Sequence, residues 1–296
     1  MNTRMNFVVA LLLVVALVLG SFIGVTAGTY LFDLAYPTAQ DSDHQSDSAS
    51  ESQSSDQPTS SVVDQTPKKK IALTFDDGPH SVYTNEILDL LEQYNAKATF
   101  FVYGEKLNSN TGKALKRAVT LGCEIGNHTF SHPEMTELSA EDVVSEIRRT
   151  NEKIALYSDT NYQCKIYRPP YGSINRATMQ ALYQSGLRMY SIHWSSDSLD
   201  WEYQKRYATE QEITREEAVQ GTFDTIVSQT GDGTVILMHD VHEITPDVLR
   251  LVLEKYTAEG YTFVTVSELF DLKDNAPEEA YFNRYRSTSS ILATTK

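Results

Sequence analysis

The sequence predicts an α/β fold of about seven strand–helix units, closed as a (β/α) barrel or laid out as an open doubly wound sheet. Two observations carry this expectation. From Lys68 onward, short apolar runs of β type alternate with segments of helical period. Acids, histidines, an arginine and aromatics also recur just beyond the carboxyl ends of five expected strands, where both architectures gather their chemistry.

Residues 71–75 read as the first strand, and 84–94 as a helix with Ile87, Leu88 and Leu91 on one face. A strand at 98–102, a helix at 112–121 and a strand at 123–126 follow. Residues 141–157 form a helix in which Val143, Val144, Ile147 and Ile154 keep helical register. A short strand at 165–168, a helix at 176–184 and a strand at 187–192 come next. The last elements are a helix at 216–228, a strand at 235–238, a helix at 246–259 and a strand at 262–266. The globular domain is thus expected over 68–270, with 271–296 as a frayed tail whose first ten residues are acidic.

Two stretches before Lys68 do not belong to a globular core. Residues 5–32 carry no charge, and the apolar run 7–25 is long enough to cross a bilayer as a single helix. Arg4 favours an inside N-terminus. The length of the run suits an uncleaved single-pass anchor that places the domain outside the cell. Cleavage of a signal peptide at Val25-Thr26-Ala27, with secretion, is the alternative. Residues 33–67 then read as a disordered linker: 38–67 hold six acids, no Lys or Arg, and too little apolar surface to offset ordering entropy. The whole chain of 296 residues has 25 Lys and Arg against 40 Asp and Glu, a net −15. That balance excludes a nucleic-acid partner, which needs a positive surface.

The polar residues beyond the strands point to metal chemistry. His128 and His132 are four apart, a spacing that suits one face of a helical turn or a strand-end turn. An Asp from a neighbouring strand end would complete a set of two imidazoles and one carboxylate, which leaves coordination positions open for water and substrate. Zinc suits these donors, and Co2+, Ni2+ or Mn2+ are also compatible. Asp76 and Asp77 are consecutive at the end of the first strand. One could bind the metal while the other takes a proton, or the Asp-Asp-Gly-Pro string could be a plain β-turn.

Five segments occur in order: Thr74-Phe75-Asp76-Asp77-Gly78-Pro79, His128-Thr129-Phe130-Ser131-His132, Arg168-Pro169-Pro170-Tyr171-Gly172, Asp197-Ser198-Leu199-Asp200-Trp201 and Leu237-Met238-His239. Together they closely resemble the motifs of the NodB-type polysaccharide deacetylases, carbohydrate esterase family 4, across about residues 68–270. The resemblance implies a distorted (β/α) barrel and a metal-dependent hydrolase of N-acetyl groups. Asp77, His128 and His132 match the metal ligands, Asp76 the general base toward water, and His239 the general acid toward the leaving amine. Arg168 matches the arginine that positions the base, and Asp200 the acid that tunes the histidine. Tyr171 matches the oxyanion donor through its backbone N–H, and Trp201, Leu237 and Tyr171 match the walls of the acetyl pocket.

The resemblance implies an N-acetylated glycan substrate. A domain tethered to the outer face of a membrane would meet peptidoglycan, with chitin oligomers and O-acetylated xylan as alternatives. A non-catalytic glycan-binding module and a metal phosphoesterase are the other classes considered; the intact Asp76 and His239 speak against the first. The segments 104–111 and 195–215 are expected to shape the groove. His80, His193 and His242 read as structural. Cys123 and Cys164 lie at the start of the third and fourth expected strands, each just ahead of a motif; they form a disulfide if those strands are neighbours, or remain two buried thiols.

Overall fold

The computed structural model describes residues 69–158 and 162–293. The apolar run 7–25, expected as a membrane helix in contact with the bilayer, and the linker 33–67 lie outside the described residues. Among the described residues no helix is long and apolar enough to cross a membrane.

Strand β1 (Lys70–Asp76) is buried along its length except at Lys70. Helix α1 (Tyr83–Gln93) leads to β2 (Ala98–Val102), α2 (Gly112–Thr120) to β3 (Glu124–Asn127), and α3 (Ala140–Ser158) to β4 (Ile166–Tyr167). Helix α4 (Arg176–Gln184) leads to β5 (Tyr190–Ile192). These five strands pair in parallel in chain order. The segment 195–215 holds a two-residue strand β6 (Ser196–Asp197), helix α5 (Asp200–Gln204) and a π-turn (Lys205–Thr209). Helix α6 (Arg215–Gln229) begins at a capping box between Thr214 and Glu217. Strand β7 (Thr234–His239) then pairs with the free edge of β1 over six residues, from Ile71 opposite Thr234 to Asp76 opposite His239. Helix α7 (Thr245–Ala258) packs against α1 and α6.

The closing strand departs from the sequence expectation. Residues 262–266 supply only β8 (Thr262–Phe263), which pairs with the first two residues of β1. Thr265 then caps helix α8 (Val266–Phe270), with Glu268 completing the capping box. The ring is closed instead by β9 (Asn283–Ser287), from the segment expected to be frayed. It runs parallel to β5 and antiparallel to β7, where Ser287 faces Thr234. The seven-membered barrel is therefore β1-β2-β3-β4-β5-β9-β7, with one antiparallel seam, and β10 (Ser290–Ala293) pairs with β9 outside it. Aromatic burial explains why the tail is ordered. The Tyr281 ring lies 4.9 Å from that of Tyr190, Phe282 lies 5.7 Å from Tyr183, and Tyr285 sits between Tyr190 and Phe270.

Strand alternation divides the core into two layers. Ile71, Leu73 and Phe75 of β1, with Ile236 and Met238 of β7, join Ile87, Leu88, Leu91, Val248 and Val252 of the covering helices. Ala72 and Val235 turn the other way and pack with Phe101, Ile166, Ile192 and Tyr285. The same alternation carries Thr74, Asp76 and Arg168 to the lumen side, where Arg168 stacks on Phe101 at 4.2 Å. Cys123 and Cys164 are free thiols rather than a disulfide; Cys123 is buried as expected, and Cys164 is half-buried. Cys164 Sγ lies 3.1 Å from the Ile166 carbonyl and 3.4 Å from that of Ile125, and burial raises its pKa.

Candidate active site and metal centre

Asp76 is the last residue of β1, and its neighbour Asp77 adopts a left-handed backbone (φ 71°). That turn breaks the strand alternation, so both carboxylates reach the mouth of the barrel. Asp76 Oδ1 accepts a hydrogen bond from Arg168 Nη1 at 2.7 Å. The guanidinium is 0% exposed and also donates to Thr74 Oγ1 (2.8 Å), the His193 carbonyl (3.1 Å) and the Ile192 carbonyl (3.3 Å). Thr74 in turn donates to the Ile236 carbonyl of β7 at 2.6 Å. One oxygen of Asp76 is thereby fixed, and the other, Oδ2, lies 3.8 Å from His128 Nε2.

The two histidines sit on a strand-end turn rather than a helix. Asn127 Oδ1 accepts the Thr129 N–H (2.8 Å), and Thr129 Oγ1 accepts the His132 N–H (3.1 Å). Glu146 of α3 accepts the N–H groups of Phe130 and Ser131, each at 2.8 Å, and the Ser131 hydroxyl at 3.0 Å. Thr129 and His132 both adopt positive φ (65° and 59°). Asp77, Tyr171 and Leu199 share that conformation, so strained backbone gathers around one site.

Asp77 Oδ1 lies 3.4 Å from His128 Nε2 and 3.3 Å from His132 Nε2. It is buried and has no hydrogen-bond partner among the described residues. His128 Nδ1 donates to the Arg168 carbonyl at 2.8 Å, which leaves the Nε2 lone pair facing Asp77. Burial works against ionisation of Asp77, but the two histidines outweigh it and hold the carboxyl well below the usual range. An orphaned carboxylate oxygen facing two imidazole nitrogens fits a divalent cation.

A second group of donors comprises Asp200, His239 and His242. Here Asp200 is already satisfied. Its Oδ1 accepts from His239 Nδ1 at 2.7 Å, and Oδ2 accepts the His239 N–H (2.7 Å) and the Thr245 hydroxyl (2.8 Å). This is a hydrogen-bonded acid–histidine pair. Burial alone would lower the His239 pKa, but the charge and hydrogen bond of Asp200 raise it to about 9.

These groups line a cleft of about 500 Å³. Asp76, Asp77, His128, His132, Tyr171, Trp201, Leu237 and His239 all face it. Arg168 and Asp200 are fully buried beneath it. Leu237 forms a buried wall, whereas Trp201 (47% exposed) and Tyr171 (72% exposed) stand at the rim. The Tyr171 ring meets His132 edge-on at 4.9 Å. The segment 104–111 begins beside Tyr103, whose ring is 5.8 Å from His132.

The cleft also contains residues to which sequence reasoning gave no role: Pro169, Trp194 and Asp197. Trp194 follows strand β5 as Pro169 follows β4, so their positions carried the signal, and Trp194 lies 5.6 Å from the Arg168 guanidinium. His242, expected to be structural, lines the cleft with its ring 5.5 Å from His239. His193 and His80 are structural as expected. His193 is buried against Ser191, and burial with the Arg168 charge pushes its pKa down to about 3. His80 Nδ1 accepts N–H groups at the start of α1.

A sequence model of the family described as polysaccharide deacetylase matches residues 63–190. A peptidoglycan-N-acetylglucosamine deacetylase of Bacillus cereus is 32% identical over 222 residues, which cover 73% of this chain and 96% of that protein. The chain belongs to the polysaccharide deacetylase family. Another member, the peptidoglycan-N-acetylglucosamine deacetylase PgdA of Listeria monocytogenes, is 36% identical over 220 residues. The match covers 73% of this chain but 43% of PgdA, so the chain spans less than half the length of that deacetylase. Among solved structures, a family 4 acetyl xylan esterase from Clostridium thermocellum, in complex with a cobalt ion, superposes with a TM-score of 0.63 at 32% identity. The match covers 74% of this chain and 99% of the esterase.

Proposed function

We propose that this chain hydrolyses the N-acetyl groups of a cell-wall polysaccharide, with peptidoglycan N-acetylglucosamine as substrate, and releases acetate. One observation carries the reading: a cation donor set, Asp77 with His128 and His132, shares one cleft with a carboxylate paired to an arginine and a histidine paired to an acid. Asp76 is ion-paired to Arg168, and His239 is paired to Asp200.

Asp77, His128 and His132 would hold the divalent cation, zinc foremost. When bound, it would supply Lewis acidity toward the acetyl carbonyl and make an attacking water more acidic. Asp76, whose Oδ1 is held by Arg168, would take a proton from an attacking water through its other oxygen, Oδ2. Tyr171 supports the oxyanion through its backbone N–H, in the left-handed turn that follows β4. The acetyl methyl is received between Leu237 and Trp201. His239, protonated at neutral pH, gives its proton to the leaving amine nitrogen, and Asp200 orients the imidazole and stabilises its charged form. Arg168 and Asp200 act through their partners as positioning residues. The Listeria and Bacillus relatives, named as peptidoglycan deacetylases, support the substrate. The apolar run 7–25 and the linker support a membrane-anchored domain on the outer face of the cell.

Acetate release from peptidoglycan and from chitin oligomers, with and without chelator and beside Asp76→Asn, tests the reading. Chelator-sensitive acetate that is absent in the variant is the expected result. Acetate released equally in the presence of chelator, or by Asp76→Asn, would overturn it. The acetyl xylan esterase match, which spans nearly the whole of that structure, favours a second reading as an O-acetyl esterase. Acetylated xylan in the same assay separates the two.

A further inference from the structure

Strand β7 ends at His239, and the next residue, Asp240, leaves on the other side of the chain from the cleft. It is 1% exposed. Its Oδ2 accepts a hydrogen bond from Thr84 Oγ1 at 2.5 Å, and the same hydroxyl accepts the His80 N–H at 2.7 Å. Oδ1 has no hydrogen-bond partner among the described residues. Both carboxylate oxygens press on Gly78, where a Cβ would lie 2.1 Å from each. Gly78 follows Asp77 directly, and its carbonyl accepts the Tyr103 N–H at 2.9 Å.

We propose that Asp240 is a positioning residue for the cation site. Its carboxyl is wedged between α1 and the turn at 77–79, and fixes the left-handed backbone that aims Asp77 Oδ1 at the two histidines. The proposal rests on the reading of Asp77, His128 and His132 as cation ligands. Three contacts define the turn: Tyr103 on its carbonyl, Asp240 against its Cα, and Thr84, which ties Asp240 to the peptide of His80. An apolar side chain at 240 would fill the space at less desolvation cost but would lose the directed bond to Thr84. Residues that orient a ligand in this way typically change metal affinity by about 10-fold to 100-fold when removed.

The test titrates Co2+ into the metal-free full-length protein and reads affinity from its visible absorption, with circular dichroism as the check on folding. Asp240→Ala is expected to weaken Co2+ by about tenfold or more. Asp240→Asn, whose amide oxygen can still accept from Thr84, is expected to keep most of the affinity. Gly78→Ala should weaken Co2+ because its Cβ displaces the carboxyl. Gly78→Ala combined with Asp240→Ala should bind more tightly than Gly78→Ala alone, since the new methyl enters the vacated space. Wild-type affinity in folded Asp240→Ala would overturn the proposal, as would a double variant no better than Gly78→Ala. If Asp240→Ala fails to fold, Asp240→Asn and Gly78→Ala still decide: equal losses in both would overturn it. Absence of Co2+ binding by the wild-type protein would instead overturn the cation site on which the proposal rests.

Discussion

Asp76 and His239 are register partners across β1 and β7, and the strand ends that carry them are held by opposite charges. Arg168 grips the carboxylate from the lumen, and Asp200 grips the imidazole from behind. Each is thereby left with one face open to the cleft.

Asp76→Asn is expected to keep its metal and lose turnover. The amide cannot accept a proton, and loss of a general base costs about 10²–10⁴-fold. Metal content by elemental analysis and acetate release by enzymatic assay check the two halves separately.

Asp200→Asn should move the alkaline limb of the pH–rate profile downward. Burial opposes charging of His239, and the Asp200 charge and hydrogen bond reverse that to give a pKa of about 9. The raised value means that the protonated acid is available below that pH and is lost as pH rises through it. The stabilisation from the pair is complete below about 6.5, the ordinary histidine value, and disappears over the same rise. Without Asp200 the acid is lost at lower pH, so the variant's deficit is larger at pH 8 than at pH 6. Rates across pH 5–10 check this.

Arg168→Met should destabilise the domain by about 3–5 kcal/mol, because it leaves Asp76 buried without its cation. Chemical denaturation measures the loss. The double variant Arg168→Met with Asp76→Leu should recover part of it, since an apolar pair of similar volume no longer strands a charge.

Tyr285→Ala should cost about 3–5 kcal/mol, the usual range for removing a buried aromatic. The side chain lies between Tyr190 and Phe270 on the strand that closes the barrel. A thermal melt of the variant beside wild type checks it. Removal of residues 277–296 should prevent cooperative unfolding altogether.

Much of the site was legible because its residues follow strands. Asp76, His128, Arg168 and His239 each stand at or just past a carboxyl end, so an approximate strand assignment suffices to bring them together. The supporting groups were harder to read. Glu146 sits in the middle of α3 and reads as one more surface acid on a helix, yet it organises the histidine turn through two backbone N–H groups. The closing strand was hidden for a similar reason. Asn283-Arg284-Tyr285-Arg286-Ser287 has one large apolar residue in five, and its place between β5 and β7 depends on partners distant in sequence. β8 is shorter than its sequence suggests because Val264 and Val266 extend the apolar run, whereas Thr265 with Glu268 redirects the chain into a helix.

Closure by β9 also has a consequence during biosynthesis. The other six ring strands precede it in the chain, so β5 and the start of β7 lack their partner until residues 283–287 have been synthesised. Unpaired edges recruit strands from other molecules. Affinity tags and reporters joined beyond residue 293 need a spacer long enough to let the final staves of the cask drop into place.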